Sequence, residues 1–359
     1  MKKILLTTVA AATLISATST MAQDHSTMNM SVGHHSDHES VSLAPIGVTG
    51  DHLHAKGDWM IGYSFMNMEM KGNRNGLTDD LTPEEVITFN NPHAGPANLR
   101  VVPTEMTMKM HMLGGMYGLT DDLTLMVMAT VHDNSMNHTT FNMPGTARIG
   151  TFTTNSTGLG DTQVAGMFSI LDDENHTLNG RIGVSLPTGS IDEVDDVLTP
   201  MNTTPTLRLP YAMQLGSGTY DFMPGLTYTY GHGDWSFGSA YGGRIHMGRN
   251  NEGYTRGDWH ELNSWVGYKA SETLGFSANI KGKTEEMIKG QDTDITAPVQ
   301  TADPENYGGQ KIHLGLNAGY KFLEENTVKA SFFVPVYQNL NGPQLEDDYS
   351  FAVRFERNF

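Results

Sequence analysis

Methionine residues spaced two apart are the most suggestive chemical feature of this chain. The sequence holds 23 Met and no Cys. The regular runs comprise Met66, Met68 and Met70; Met106, Met108, Met110 and Met112; and Met126 and Met128. In a β-strand, residues two apart share one face, so each run would form a ladder of thioethers. Thioether sulfur favours Cu(I) and imidazole also binds copper, so Met and His are the ligands left for a soft metal.

The faces of the strands decide whether a thioether ladder points into a polar interior or towards lipid. Leu125 and Val127 alternate with Met126 and Met128, which turns these methionines and His132 inward. In the strand that follows Pro103, Glu105, Lys109 and His111 call for a polar interior, so we expect Met106 to Met112 to face lipid, as ordinary apolar side chains. We therefore predict metal contacts from six inward residues, with simple packing as the alternative: Met66, Met68, Met70, Met126, Met128 and His132.

A second group of candidate ligands precedes the first predicted strand. This stretch is polar with little apolar content, which favours a mobile segment, and a tract dense in His and Met is typical of metal capture. The candidate ligands are His25, Met28, Met30, His34, His35, His38, His52 and His54. We predict residues 23–57 to be a flexible periplasmic segment or a plug in the lumen. We expect the protein to require no cofactor, and a copper ion is the candidate for this tract to bind; a solvated tail without function is the alternative.

The first 22 residues have the pattern of a secretory signal peptide. Lys2 and Lys3 supply the positive start, an apolar stretch runs from Ile4 to Ile15, and Thr20-Met21-Ala22 is a plausible cleavage site. The apolar run is too short for a membrane-spanning helix, which takes about 20 residues. We predict that residues 1–22 are removed on export.

The end of the chain predicts the architecture. Tyr349, Phe351, Val353 and Phe355 alternate with polar or small residues up to the terminal Phe359. Such alternation recurs along the chain in segments of about ten to thirteen residues, and a transmembrane β-strand needs about 9–11. We predict an all-β protein, a transmembrane antiparallel β-barrel of about twelve strands over residues 58–359, in the bacterial outer membrane.

The connections support a barrel over a soluble sheet. Short turns alternate with longer links, which in such barrels lie on the periplasmic and outer sides respectively. The predicted long links are Lys71–Pro103, Asp133–Gly158, Pro187–Gly218 and Thr284–Gly309. Three tryptophans near predicted strand starts, Trp59, Trp235 and Trp259, would lie at the membrane interface.

Charge and motifs exclude several classes of function. The formal net charge of -18 argues against a nucleic-acid partner. The chain has no nucleophile elbow, phosphate-binding loop or zinc-protease motif, and we predict no enzymatic activity. The expected partners are outer-membrane lipid and lipopolysaccharide, the barrel-assembly machinery, and small solutes or metal ions.

Three glycine-containing motifs carry a resemblance to a known family. Gly158-Leu159-Gly160-Asp161, Leu186-Pro187-Thr188-Gly189, and the stretch from Gln338 to Pro343 before the last strand resemble the outer-membrane barrels named for the MetA pathway of phenol degradation. The resemblance covers roughly residues 58–359 and implies an outer-membrane channel that transports small molecules. The name alone does not make phenol the substrate.

We therefore interpret the chain as a passive outer-membrane channel for small solutes, with a link to copper or another soft metal. Two alternatives remain open: a non-conducting metal-binding protein with a plugged barrel, and a channel for small hydrophobic or aromatic compounds. Alternation predicts that charged side chains inside the lumen set its selectivity. These residues are Arg181, Arg244, Glu261, Lys281, Lys283, Lys311 and His313.

Overall fold

The computed structural model describes residues 42–323 and 325–359, and these form an almost entirely β structure. The predicted signal peptide and the candidate ligands His25, Met28, Met30, His34, His35 and His38 lie outside the described residues. The strands are β1 Trp59–Gly76, β2 Val101–Thr120, β3 Leu123–Phe141, β4 Arg148–Leu159, β5 Thr162–Asp172, β6 His176–Leu186, β7 Val194–Asp196, β8 Thr206–Arg208, β9 Tyr220–His232, β10 Trp235–Met247, β11 Tyr254–Thr255, β12 Trp259–Lys269, β13 Leu274–Glu285, β14 Lys289–Gly290, β15 Gly309–Phe322 and β16 Asn326–Asn358. Helix α1 spans Pro83–Val86, and single 3₁₀ turns lie at Tyr211–Met213, Gln300–Ala302 and Pro304–Asn306.

Eleven strands close into an antiparallel ring. Neighbours around the ring are β1, β2, β3, β5, β6, β9, β10, β12, β13, β15 and β16, and β16 returns to β1. The second half of β3, from Val131 to Phe141, pairs with β4. The chain then continues into β5, which pairs with the first residues of β3, from Leu123 to Met128. Closure gives each of the eleven ring strands a neighbour on both sides, which a sheet in lipid requires. The predicted all-β antiparallel barrel is confirmed.

β16 contains a reversal, so it crosses the barrel wall twice. Residues from Asn326 to Leu340 pair with β15, whereas residues from Leu340 to Asn358 pair with β1, and both pairings are antiparallel. Gly342 stands at the reversal with a φ of 66°, a backbone conformation that favours glycine. Counting both halves of β16, the wall has twelve spans, which agrees with the number expected from the alternation.

The two ends of the barrel differ in their connections. At the end that holds Trp59 and Phe359, tight turns join β2 to β3, β5 to β6, β9 to β10, β12 to β13 and β15 to β16. At the other end, longer loops span residues 77–100, 187–219, 248–258 and 286–308. One predicted long link was wrong: most of Asp133–Gly158 is strand, because β3 and β4 continue upward as a paired extension of the wall. In outer-membrane barrels the long-loop end faces outward from the cell.

Apolar side chains cover the outside of the barrel, as the last strand predicted. Val353, Phe355 and Phe359 are exposed on the outer face, whereas Ser350, Ala352 and Glu356 are buried on the inner face. The Trp59 ring stacks on that of Phe359, with centroids 4.2 Å apart. Rings at this level suit the membrane interface. Among the described residues, no helix is long and apolar enough to span a membrane.

Candidate functional site: the barrel lumen

A cavity of about 450 Å³ lies inside the barrel, and we call it the chamber. One wall consists of the methionines of β1, β2 and β3, and the opposite wall carries charged side chains of β10 and β13 together with Trp259 of β12. Thioethers and imidazoles in the lining come from Met66, Met108, Met110, Met112, Met128, His132 and His246. The chamber therefore combines soft ligands with polar groups in one enclosed space.

Three adjacent strands place three candidate ligands in one row. Met66 of β1 lies opposite Met110 of β2, and Met110 lies opposite His132 of β3. Directly opposed residues on one face of an antiparallel pair have Cβ atoms about 4.5–5.5 Å apart. Two thioethers and one imidazole can therefore converge on one point, and this donor set is the kind that Cu(I) favours. The residues present fit a soft metal ion.

The orientation predicted for the methionines of β2 was wrong. Met108, Met110 and Met112 line the chamber, and Met106 is buried at 2% exposure. The polar residues between them face outward, where the Lys109 ammonium lies 3.7 Å from the Asp133 carboxylate. A strand of 20 residues rises well beyond a lipid band about 25 Å tall. Polar residues on the outer face of its upper half therefore meet water, so they do not identify the lumen.

The ring of His132 depends on a glycine across the wall. A Cβ atom placed on Gly160 would lie 2.5 Å from the Nε2 atom of His132, so a side chain there would collide with the imidazole. None of the hydrogen bonds among the described residues involves the His132 ring. The imidazole is thus held by close packing, and its nitrogen atoms have no hydrogen-bond partner among the described residues.

Gly160 also belongs to a junction between two of the three motifs that carried the family resemblance. The Thr188 hydroxyl donates to the Gly160 carbonyl at 2.9 Å, and the Asp161 carboxylate accepts from the Gly189 N–H at 3.1 Å. The other Asp161 oxygen accepts from both the N–H and the hydroxyl of Ser217, each at 2.8 Å. The motifs therefore fix loop 187–219 across the top of the chamber.

That loop and loop 286–308 form a packed cap above the barrel. Leu209, Tyr211 and Met213 are fully buried, and Tyr211 packs against Tyr254 and Ile295. Burial raises the pKa of Tyr211 to about 12, so its hydroxyl stays neutral and accepts a 3.0 Å hydrogen bond from the Asp292 N–H. The cap covers the long-loop end of the lumen.

Residues 42–57, which we call the inner segment, lie inside the short-turn end of the barrel. Contacts run from one side of the wall to the other: the Ile46 N–H donates to Ser331 of β16, and the His54 N–H donates to Thr124 of β3. Between these points, the Thr227 hydroxyl of β9 donates to the Thr49 carbonyl at 2.9 Å. The inner segment therefore crosses the lumen below the chamber.

Two predicted imidazole ligands of the inner segment lie side by side. The rings of His52 and His54 have centroids 5.2 Å apart. Burial lowers the pKa of His54 to about 4, so its ring is neutral and able to bind a metal at neutral pH. Burial alone would raise the pKa of Asp51, but the nearby His52 imidazole holds it below its usual range. Both rings lie below the chamber, on the short-turn side.

The predicted selectivity residues face the lumen, and most of them lie within 4 Å of an acidic partner. Lys283 contacts Glu285 at 2.6 Å, and Lys281 lies 3.9 Å from Glu261. Asp347 receives both the Lys311 ammonium at 2.7 Å and the His313 ring at 3.1 Å. Arg244 lies 3.8 Å from Asp221, and Arg181 donates to the Thr49 hydroxyl of the inner segment at 2.9 Å. Pairing reduces the net charge that a passing ion meets.

The structure brings together some of the predicted metal ligands and separates others. Met66, Met128 and His132 line the chamber. Met70 packs under the cap with Met106 and Met136, and Met126 is buried in a methionine cluster nearer the short-turn end. Met68 shares the face of Met66 and lies opposite Met108. Sequence reasoning missed His246. This residue lies two positions from Arg244 on β10 and therefore shares its inward face, which could have indicated it.

One predicted interface tryptophan was wrongly placed. Trp59 and Trp235 are exposed on the outside of the barrel. Trp259 instead lines the chamber beneath the Lys283 ammonium, which lies 5.3 Å from the ring centroid. It shares the inner face of β12 with Trp265, which packs against the inner segment. A Gly-Asp before a tryptophan marks the strand start but not the face.

Comparison with solved structures places this fold among outer-membrane channels. The chain is similar to the COG4313 outer membrane channel from Pseudomonas putida F1, with 12% sequence identity and a TM-score of 0.56 over 85% of this chain and 97% of that one. It is also similar to the P. putida toluene transporter TodX, with 9% sequence identity and a TM-score of 0.44 over 85% of this chain and 91% of that one. No family model and no curated protein matches the sequence.

The first of these likenesses carries the assignment of the fold. It spans nearly the whole of the solved channel, and the closed wall with an apolar outer face and a polar, partly filled lumen agrees with it. The expected resemblance to outer-membrane channel barrels is confirmed at the level of the fold. The chain is therefore a β-barrel of the bacterial outer membrane that shares its fold with outer-membrane channels.

Proposed function

We propose that this protein is an outer-membrane channel for small solutes whose lumen includes a binding chamber for a soft metal ion, with Cu(I) as the ion that fits best. The single observation that carries the metal part is the row of Met66, Met110 and His132 across three neighbouring strands. The fold supports the channel part. No residue is assigned a catalytic role.

The two walls of the chamber would act differently on a solute. The methionine wall offers polarisable sulfur atoms, whereas Lys283 and Glu285 on the opposite wall form a close ion pair. A soft cation would exchange between thioethers on one side and meet a carboxylate on the other. Weak binding at several sites favours release as well as entry, which suits passage more than storage.

The inner segment is the feature that favours a non-conducting alternative. It crosses the lumen and bonds to β3, β6, β9 and β16. In the channel that we propose, this segment must shift before a solute can leave at the short-turn end. In the alternative, it stays in place and the chamber only captures metal.

A disulfide between the inner segment and the wall tests this point directly. A Cβ atom on Gly50 would lie 3.8 Å from the Cβ of Thr227, within the range of about 3.5–4.5 Å for disulfides, and the chain has no other cysteine. We expect Gly50→Cys/Thr227→Cys to be closed in single-channel recordings when oxidised and to conduct after reduction. The single variant Gly50→Cys is the control, since it carries the same strain at a φ of 86°.

Other results of this recording would change the assignment. Equal conductance in the oxidised and reduced forms would mean that solutes pass the inner segment where it lies. No conductance in either form, or in the unmodified protein, would support the plugged alternative.

A cleft lined by β1, the loop after it and both halves of β16 bears on the third hypothesis, transport of small hydrophobic compounds. It has a volume of about 900 Å³, and its lining combines the apolar Val334 and Val336 with charged residues such as Arg74 and Glu346. At this height the Gln338 side chain, and not the backbone, bonds the N–H and carbonyl of Asp347. Uptake of an aromatic compound by liposomes that hold the protein, unaffected by Cu(I), would favour this alternative over a metal-binding channel.

A further inference from the structure

Three carboxylates meet where two loops of the long-loop end come together, far along the chain from the methionine runs. Glu252 belongs to loop 248–258, and Asp292 and Asp294 belong to loop 286–308. One oxygen atom from each lies within 4.8 Å of the others. The short antiparallel pair of β11 and β14 brings them together, because Tyr254 lies opposite Gly290.

Asp292 is the residue that makes this cluster unusual. It is 1% exposed, and its Oδ2 atom has no hydrogen-bond partner among the described residues. Its other oxygen accepts a 2.8 Å hydrogen bond from the Asp294 N–H. A buried carboxylate oxygen without a hydrogen-bond partner costs free energy, and Asp292 contributes one of the three carboxylate oxygens that lie together.

One arginine lies close to the cluster but does not satisfy it. Arg208 lies 3.9 Å from Glu252, 3.9 Å from Asp292 and 3.5 Å from Asp294. Its 3.0 Å hydrogen bond goes instead to the Ile191 carbonyl. Three carboxylates and one guanidinium carry formal charges of -3 and +1, which leave -2. This balance matches a divalent cation.

We propose that Glu252, Asp292 and Asp294 bind a calcium ion that clasps loops 248–258 and 286–308 together. Calcium takes six to eight oxygen ligands in flexible geometry, so three carboxylates supplemented by water suit it. Magnesium demands stricter octahedral geometry. The neighbouring Arg208 weakens the site, so we expect affinity in the range of extracellular modules, on the order of 10⁻⁴–10⁻³ M.

Binding here would stabilise the cap over the chamber. Asp292 N–H donates to the hydroxyl of Tyr211, which packs against Tyr254 in the core of the cap. The ion would thus fasten both loops to the buried tyrosines. This inference is independent of the soft-metal chamber, because it uses different residues, a hard cation and the outer loops.

The test is a calorimetric titration of the purified full-length protein in detergent with CaCl2 alone, paired with thermal unfolding. We expect one saturable site in the unmodified protein, an unfolding temperature that rises with calcium, and at least about tenfold weaker binding in Glu252→Gln and Asp294→Asn. Glu305→Gln removes an exposed carboxylate from the same loop and should bind as the unmodified protein does.

Arg208→Met gives a second, opposite readout. Without the guanidinium the three carboxylates repel one another, so we expect lower stability without calcium and tighter calcium binding than in the unmodified protein. No saturable binding up to millimolar calcium, or equal binding in Glu252→Gln, Asp294→Asn and Glu305→Gln, would overturn the proposal. If Asp292→Asn fails to fold, the half-buried Glu252 still decides the outcome.

Discussion

Met110 of β2 lies directly opposite His132 of β3 on the inner face of the barrel. Met66 of β1 lies opposite Met110 from the other side. The three side chains form a row because antiparallel register brings together residues that lie far apart in the chain. This row is the structural basis of the soft-metal chamber that we propose, and several changes near it have distinct expected effects.

Gly160→Ala should disturb His132 without changing a ligand. The added methyl group would lie 2.5 Å from the imidazole Nε2 atom, so the ring must move or the wall must shift. Overpacking of this kind typically costs about 1–3 kcal/mol. We expect a lower midpoint in urea unfolding and weaker Cu(I) binding. Gly231→Ala, where nothing lies within 4 Å of the added Cβ, is the matched control; an effect of equal size there would argue against the packing explanation.

Asp161→Asn should loosen the loop that covers the chamber. The variant keeps the shape of the side chain but replaces one carboxylate oxygen by an amide nitrogen, which cannot accept a hydrogen bond. Either the bond from the Gly189 N–H or the two bonds from Ser217 are then lost. A buried donor left without a partner costs about 1–3 kcal/mol. We expect faster hydrogen exchange in loop 187–219. The control is Asp348→Asn at an exposed position, which should leave this hydrogen exchange unchanged. An unchanged exchange rate in Asp161→Asn as well would mean that the junction does not hold the loop.

Breaking the Lys283–Glu285 pair should change ion preference in a predictable direction. These side chains contact at 2.6 Å in the charged wall of the chamber. Lys283→Gln leaves a negative group and should favour cations, whereas Glu285→Gln leaves a positive group and should favour anions. Reversal potentials in a salt gradient measure this preference. The double variant should return close to the unmodified value; identical potentials in all four proteins would remove this pair from the selectivity of the pore.

Acid should release the inner segment through His54. The unfolded chain has an imidazole pKa of about 6.5, and burial lowers the pKa of His54 to about 4 in the folded protein. The stability of the packed segment is therefore complete above pH 6.5, falls as the pH drops towards 4, and is not lowered further by this group below that. We expect hydrogen exchange of residues 42–57 to rise across this window.

A pair of variants separates His54 from other titrating groups. His54→Gln cannot titrate and should flatten the pH dependence of exchange in the inner segment. His232→Gln, at an exposed turn on the same end of the barrel, should preserve it. The same pH dependence in His54→Gln as in the unmodified protein would assign the release to another group.

The period of the alternation was enough to predict the barrel, its number of spans and the faces of most strands. The final strand is the clearest example, since Phe355 and Val353 lie outside and Ala352 inside as the pattern indicates. The motifs around Gly160 and Thr188 carried the family resemblance, but they did not predict that these two residues bond to each other. The reason is that 28 residues separate them and the register of the strands is not visible in one sequence.

The faces of β2 show where sequence reasoning fails. Lys109 and His111 are polar, and the rule that polar residues face the lumen placed them inside. They are outside because β2 extends above the lipid, where Lys109 pairs with Asp133 and the Tyr63 hydroxyl lies 2.8 Å from the His111 ring. The length of β2 decides which of its residues lie above the lipid, and alternation alone does not give this length. For that reason the sequence did not predict that the methionines of β2 form a wall of the chamber.

The most direct test of the account is a Cu(I) competition titration against a chromogenic chelator, comparing full-length protein with Met110→Leu and His132→Gln. To remove binding by the N-terminal tract, all proteins would carry His25→Ala, Met28→Ala, Met30→Ala, His34→Ala, His35→Ala and His38→Ala. We expect at least about tenfold weaker binding in each chamber variant, since loss of even a supporting group commonly has that effect. Met247→Leu, exposed on the outer face, should match the parent protein. Equal Cu(I) affinity in all of these proteins would contradict the chamber as a metal site.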